Sequence, residues 1–303
     1  MKAPCVPRDG LLVLDKPEGL TSTQALGQAR QRLRACKGGH TGTLDPLATG
    51  VLVLCFGEAT KAASFLVDTD KRYRTTIALG ASTTTYDREG EVVARRPVTV
   101  SDAAIEEAVG RFVGRIDQVP PRFSAIKQGG RPFYERARRG DPTPPESRSV
   151  FVAAIDVVDR AGCDLTLDIA CGKGVYVRSI AHDLGEALGC GGHVKALRRM
   201  AVGRFTVDEA VPLADVGPET ALQQSDAALT GLPAVALPGF LARAVQRGQS
   251  VHVGGRDGEG WVRLYDDSGV FLGIGWQALA GEIRPKRLWV AAGGHVEPMG
   301  ARG

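Results

Sequence analysis

Two continuous apolar runs and one alternating stretch restrict the folds open to this chain. Gly10-Leu11-Leu12-Val13-Leu14-Asp15, ending in Lys16-Pro17, and Val51 to Phe56 are unbroken enough for buried strands. Tyr73, Thr75, Ile77 and Leu79 instead alternate with Arg72, Arg74, Thr76 and Ala78, the period of a half-buried strand. Further strands are predicted at Val150 to Val158 and Asp164 to Ala170. Thr21 with Gln24 three residues later forms a capping box, and the helix it opens runs through Leu33. Other helices are predicted from Thr60 to Val67, from Ser101 with Ile105, Ala108, Val109 and Phe112 on one face, and from Ser179 to Leu188, closed by Gly189. Strand and helix interleave without the regular rhythm of a doubly wound sheet. The predicted class is therefore α+β, a mixed and mainly antiparallel sheet flanked by helices.

A break at Thr230-Gly231-Leu232-Pro233 divides residues 1–233 from residues 234–303. The tail reads as a short helix from Leu241 to Gln246 and β runs at Val251 to Val253, Trp261 to Tyr265, Val270 to Gly275 and Leu288 to Val290, a small β-rich domain. It holds eight basic and six acidic residues, a charge of +2. That is too slight to mark a partner.

Between the first helix and the second apolar run lies Gly38-Gly39-His40-Thr41-Gly42-Thr43-Leu44-Asp45-Pro46-Leu47-Ala48-Thr49-Gly50, which sets one carboxylate in an uncharged, partly apolar loop. Four glycines open backbone angles closed to other residues, and Pro46 biases Asp45 toward an extended conformation. The loop is suited to presenting Asp45. Read alone, Asp-Pro is also a common turn-initiating pair.

Composition narrows the function classes. The 303 residues are 43% hydrophobic, enough for one large or two ordinary domains, and 38 basic against 34 acidic residues give +4, which permits a nucleic-acid partner without proving one. The excess of arginine over lysine, 29 to 9, suits bidentate phosphate contacts, but a GC-rich genome produces the same bias. No apolar run approaches the ~18 residues of a membrane span, and the first residues carry no apolar leader; a cytoplasmic protein without membrane contact is expected. Cysteines at 5, 36, 55, 163, 171 and 190 form no CxxC pair and are expected to be unpaired, buried or inert thiols. His182, Cys190 and His193 match no common ligand spacing, so no metal is expected. The phosphate-loop, nucleophile-elbow and dinucleotide fingerprints do not occur.

The Asp45 loop resembles the nucleophile loop of the TruB family, the bacterial tRNA pseudouridine synthases that act on the T-loop uridine. Other segments are similar to the family in the same order. They are Leu12-Val13-Leu14-Asp15-Lys16-Pro17-Glu18-Gly19 with Thr21-Ser22, Gly57-Glu58-Ala59-Thr60-Lys61 with Asp70-Lys71-Arg72-Tyr73, and Gly80, Thr83-Thr84-Thr85-Tyr86-Asp87 and Gly90. Pro120 to Lys127 with Gly130, Tyr134, Ala137-Arg138 and Gly140 follows, and then Cys171 to Ser179, Asp183-Leu184-Gly185 and Gly192-His193-Val194 through Arg199. Phe123 and Thr43 stand where the family often has tyrosine and alanine.

The resemblance implies a pseudouridine synthase fold with a PUA-like C-terminal domain, and isomerisation of the T-loop uridine (position 55 of tRNA) without cofactor or metal. It implies that Asp45 is the catalytic carboxylate, that Arg178 lies beside it, holding its pKa down, and that Tyr73 stacks on the base and serves late proton transfer. Without it, Arg178 reads as a surface charge before a helix, Tyr73 as a core residue of an alternating strand, and His40 as a loop histidine with a local hydrogen bond. With it, His40 fills space vacated by flipped nucleotides, Tyr176 lines the pocket and Leu197 forms an apolar wall. Asp87 is a candidate to bond RNA or fix the Tyr73 strand, and Lys16, Lys61 and Lys127 are candidates for phosphate or structural contacts. The implied partner is tRNA, held by its T-arm and, through the C-terminal domain, its acceptor end, on a monomer. Two rivals keep the scaffold: a non-catalytic RNA-binding or tRNA-folding protein, and a synthase acting on ribosomal RNA or within a guide-RNA complex.

Overall fold

The computed structural model describes residues 5–124, 145–254 and 258–289, together with the backbone alone of 127–128 and 131–132. A ten-stranded sheet is built, in chain order, from β1 (Gly10–Lys16), β2 (Gly38–His40), β3 (Thr49–Phe56), β4 (Lys71–Leu79), β5 (Gly114–Gln118), β6 (Arg148–Ala161), β7 (Asp164–Cys171), β8 (Gly192–Val202), β9 (Phe205–Thr206) and β10 (Val211–Pro212). Across the sheet the order is β10-β1-β3-β8-β4-β7-β6-β5, with β2 on β3 and β9 on β8. Only the β1/β10 and β3/β8 pairs in this sheet are parallel. The fold is thus α+β with a mixed, mainly antiparallel sheet.

The unbroken runs follow from burial on two sides. Leu12 and Leu14 of β1 and Leu52 and Leu54 of β3 join one core with Ala25 and Ala29 of α1 (Ser22–Arg32), Ile105 and Val109 of α2 (Asp102–Gly110) and Ile180 and Leu184 of α3 (Val177–Ala187). Leu11, Val13, Val51, Val53 and Cys55 point the other way, into a second cluster with Leu66 and Phe205. The Thr21–Gln24 capping box is present at the start of α1, and Ser101 caps α2. Phe112 lies beyond the end of α2, in the following turn, and still packs on the core.

Helix α3 comes unusually close to the sheet because Gly185 faces Gly192: a Cβ on Gly185 would lie 2.1 Å from the Gly192 nitrogen. Gly185→Ala must push the helix off the strand, and a loss of about 1–3 kcal/mol is expected in urea unfolding. An unchanged midpoint would show that the contact yields freely.

A second, five-stranded sheet comprises β11 (Ala234–Ala236), β12 (Val251–His252), β13 (Gly260–Tyr265), β14 (Phe271–Gln277) and β15 (Glu282–Leu288), in the order β11-β13-β14-β15-β12, with α4 (Gly239–Gln246) against it. It is joined to the first sheet by Arg287, which donates to the Lys61 carbonyl at 2.5 Å and to Ser64 Oγ at 2.9 Å, and by the Tyr265 hydroxyl, which donates to Asp226 at 2.6 Å. An apolar seam of Ala62, Leu229 and Ile274 lies between them.

Three local expectations are corrected. Thr60 to Val67 is a 3₁₀ turn, Gly57–Ala62, followed by the short helix Ala63–Val67, rather than one helix. The last strand begins at Glu282, six residues before the predicted Leu288, because Glu-Ile-Arg-Pro-Lys-Arg is a polar stretch that conceals a pairing partner for β14. Cys5 and Cys36 form a disulfide, their Cα atoms 5.0 Å apart, because the Val6 amide donates to the Arg34 carbonyl and lays the N-terminal segment beside the end of α1. A sequence separation of 31 residues concealed that neighbourhood.

Candidate active site

The Asp45 loop is pinned from three directions. Ser22, in the first turn of α1, donates to the Leu44 carbonyl at 3.1 Å and accepts from its amide at 2.7 Å. The Gly19 amide and the Lys16 ammonium both reach the Pro46 carbonyl, at 2.8 and 3.3 Å. From below, Arg199 of β8 donates to the carbonyls of Gly42, Thr43 and Val51. Leu44, Leu47 and Ala48 are buried between these anchors, while the Asp45 side chain stays 32% exposed. Of the four loop glycines only Gly50 has a left-handed backbone, φ +97°, and a Cβ there would lie 2.2 Å from the Arg199 carbonyl oxygen. Gly38, Gly39 and Gly42 do not use the freedom expected of them.

Asp45 opens onto a cavity of about 590 Å³ lined also by Tyr73, Tyr176, Arg178, Leu197 and Arg199. Arg178 is not a surface charge. It is the second residue of α3, 4% exposed, with Nε 2.9 Å from Asp45 Oδ2 and one Nη 3.3 Å from Asp87 Oδ2. The same guanidinium donates to the carbonyls of Thr85, at 3.2 Å, and Phe123, at 3.0 Å. Asp87 itself is buried and accepts from the Thr85 hydroxyl at 2.5 Å and the Glu89 amide at 3.1 Å. Asp87 therefore faces Arg178, and it is occupied there rather than turned toward RNA.

Burial outweighs the downward pull that Arg178, as expected, exerts on Asp45. Burial pushes its carboxyl above the ordinary value of 3.8, and Arg178 and Lys16 pull it back only in part. Burial also raises the Tyr73 hydroxyl, against the charge and hydrogen bond of Arg199. His40, half-buried on β2 at the entry to the loop, is lowered by burial and by Arg199, which keeps the ring neutral. Lys16 is fully buried, its ammonium is spent on the carbonyls of Pro17, Leu20 and Pro46, and burial lowers it to about 8. It holds the chain around the loop and cannot reach a phosphate.

Tyr73 on β4 and Leu197 on β8 enter the cavity from adjacent strands, and Tyr176 comes from the N-cap of α3, its backbone clamped by Gln118 at 2.8 and 3.0 Å. Lys61 lies elsewhere: it pairs with Glu58 and donates to the Leu288 carbonyl at 2.6 Å, tying the two sheets together. The side chain of Lys127 lies outside the described residues, as do Gly130, Tyr134, Ala137, Arg138 and Gly140. Of the cations beside Tyr73, Lys71 is committed to the carbonyls of Val67 and Thr69 and Arg74 to Asp168, while Arg72 is exposed. Arg199 is the pocket residue that the sequence reading quoted in a motif and gave no role. A signal was present, because adjacent arginines in a strand point to opposite faces: Arg198 pairs with Asp15 at 2.7 Å, and Arg199 turns inward.

Proteins similar to this chain match it across nearly its whole length. A tRNA pseudouridine synthase B of Pseudomonas aeruginosa (strain UCBPP-PA14) is 46% identical over 289 residues, covering 92% of this chain and 95% of its own. The chain belongs to the TruB family. The protein of the same name from Thiobacillus denitrificans is 46% identical over 286 residues, with the same coverage. The family description "TruB family pseudouridylate synthase (N terminal domain)" matches residues 30–177, "tRNA pseudouridylate synthase B C-terminal domain" matches 178–239, and "Pseudouridine synthase II TruB, C-terminal" matches 233–289. Among solved structures, one titled as a Cbf5-Nop10-Gar1 complex superposes with a TM-score of 0.71 at 24% identity, covering 92% of this chain and 84% of that one, which shows the shared fold. Among the described residues no helix is long and apolar enough to cross a membrane.

Proposed function

We propose that the protein isomerises the T-loop uridine of tRNA, position 55, to pseudouridine, with Asp45 as the catalytic carboxylate. The observation that carries the reading is the pairing of a loop aspartate with a buried arginine, 2.9 Å apart, at the wall of a cavity of about 590 Å³ in a TruB chain.

The target uridine leaves its stack at a cost of a few kcal/mol and enters the cavity, with Tyr73 against the face of the base, Leu197 as its apolar wall and Tyr176 beside it. An Asp45 oxygen then attacks C1′, attacks the base or takes a ribose proton. Each route requires an ionised carboxylate, and all lead to scission of the N1–C1′ bond. The freed uracil turns and C5 joins C1′. Loss of the C5 proton and gain of one at N1 complete an isomerisation with no change of oxidation state. Arg178 orients Asp45 and favours its ionised form against the effect of burial, and Asp87 holds Arg178 from behind. His40, at the entry to the loop, fills the space the flipped nucleotides leave. Residues 1–233 form the catalytic unit, and residues 234–303 are a PUA-like unit that meets the acceptor end of the tRNA. The protein acts as a cytoplasmic monomer, one tRNA at a time.

A raised Asp45 pKa has a direct consequence for the rate. Activity depends on the deprotonated form, so the acid limb of single-turnover tritium release from [5-³H]uridine-labelled tRNA is expected to have its midpoint above the 3.8 of an ordinary aspartate. A midpoint at or below that value would assign the limb to another group, and no release at any pH would overturn the reading.

A further inference from the structure

We propose that Arg199 is a positioning residue for the final proton transfer, holding the Tyr73 oxygen and the nucleophile loop in one unit and stabilising Tyr73 while it is deprotonated. The inference rests on the reading of Tyr73 given above.

The backbone of Arg199 is where the two halves of the site meet. On one side it stands opposite Tyr73 in the antiparallel β8/β4 pair, and on the other opposite Gly50 in the parallel β8/β3 pair. The close approach at Gly50 fixes the end of the Asp45 loop on that backbone. The β8/β4 register shifts between Arg199 and Ala201, and the Arg199 side chain lines the cavity. The guanidinium is 2% exposed and donates to the Val51 carbonyl at 2.7 Å, Gly42 at 3.3 Å and Thr43 at 3.5 Å. It lines the same cavity as the Tyr73 side chain, directly across the strand pair.

Its charge balance is unusual. Among the described residues no carboxylate lies within 4 Å of Arg199, whereas Arg178 in the same cavity touches both Asp45 and Asp87. A buried arginine satisfied only by neutral oxygens keeps its field for whatever negative charge develops nearby. Tyr73 is the neighbour that can develop it, and burial opposes its ionisation while Arg199 favours it.

After C5 has joined C1′, C5 still carries its hydrogen and the ring has an N1=C6 double bond. The Tyr73 hydroxyl gives its proton to N1, and the tyrosinate takes the proton from C5. The C5–H electron pair becomes the C5=C6 bond as the N1=C6 pair moves to the new N1–H bond. Tyr73 ends as it began. Arg199 stabilises the intervening tyrosinate and does not itself exchange a proton.

The test uses Arg199→Met and Arg199→Lys in the full chain, with tRNA transcripts carrying uridine, 5-deuterouridine or 5-fluorouridine. Fluorine cannot leave C5 as a cation, so the fluorinated base is detached and rejoined but goes no further. For Arg199→Met, single-turnover conversion of uridine should fall on the order of a hundredfold, the worth of a general acid–base group, and the 5-deuterium isotope effect should exceed that of the wild type. Consumption of 5-fluorouridine should fall far less than conversion of uridine, because Ser22 and Lys16 still hold the Asp45 loop, and Arg199→Lys should recover part of the uridine rate. Equal slowing of uridine and 5-fluorouridine, without a larger isotope effect, would overturn the proposal, since Arg199 would then only hold the loop. An unchanged uridine rate would overturn it as well. If the methionine variant fails to fold, the lysine variant, which keeps the charge but not the reach, is judged by the same isotope criterion. Tyr73→Phe separates the two claims: a wild-type rate in that variant would remove the reading of Tyr73, whereas a slow Tyr73→Phe beside an unchanged isotope effect in the Arg199 variants would remove only this inference.

Discussion

Asp45→Asn is expected to abolish uridine isomerisation while leaving the fold at pH 7 at least as stable as before. Asparagine has nearly the same shape, so Leu44, Leu47 and Ala48 stay packed and the anchors at Ser22, Lys16 and Arg199 are untouched. What disappears is the charge, and with it an activity worth on the order of 10⁴-fold or more, as when nucleophiles are removed from other enzymes. The sign of the stability change follows from linkage. A carboxyl whose folded pKa lies above its unfolded value binds protons more tightly in the folded state, so its contribution to stability is present below the unfolded pKa of 3.8 and lost as pH rises through the folded one. Once ionised, Asp45 is a net cost to the fold, and a neutral isostere removes it. Thermal unfolding and single-turnover assays on the same preparation should therefore move in opposite directions. A clear fall in melting temperature would mean that the Arg178 pair outweighs burial and that the direction assigned to the carboxyl is wrong.

Arg178→Met should be damaging on both counts. Arg178 is buried, and four oxygens from three separate segments converge on it: Asp45, Asp87 and the carbonyls of Thr85 and Phe123. Deleting one partner of a buried ionic network strands the rest, at a cost of about 3–5 kcal/mol. Here the stranded group is Asp87, left with Thr85 and Glu89 alone. Activity falls too, because the carboxyl of Asp45 loses its principal downward pull and is protonated over more of the pH range. Arg178→Lys should not rescue it, since one ammonium cannot span acceptors on opposite sides of a planar fork. Adding Asp87→Asn to Arg178→Met removes the stranded charge and should recover part of the stability and none of the activity. Urea unfolding of the single and double variants reads this directly; purely additive losses would show that Asp87 does not depend on Arg178.

Much of the sheet was legible because its signals are local. Thr21 and Gln24 sit at capping-box spacing, the runs at 11–14 and 51–56 are apolar because both faces are covered, and residues 72–79 alternate because one face is. β8 was not, since Gly192-His193-Val194-Lys195 followed by Arg198-Arg199 has neither period, and its central place depends on two neighbours distant in sequence. The site divides the same way. Asp45 announces itself through its loop, whereas nothing beside Arg178 says that it is buried, and the Arg198-Arg199 pair says only that one of the two turns inward: the rest lies in the carbonyls of Phe123, Thr85, Val51 and Gly42, brought together only by folding. The net direction of the Asp45 shift is not legible for a related reason. An adjacent arginine can be expected from the resemblance, but the depth at which the pair sits cannot, and depth decides which effect wins.

The most direct measurement incubates the wild-type protein and Asp45→Asn with an unmodified tRNA transcript and maps pseudouridine by carbodiimide treatment and primer extension. A single stop at the T-loop uridine with the wild type, absent with the variant although both bind the tRNA, is the predicted result. A stop elsewhere, none at all with the wild type, or an undiminished stop with Asp45→Asn would contradict the account.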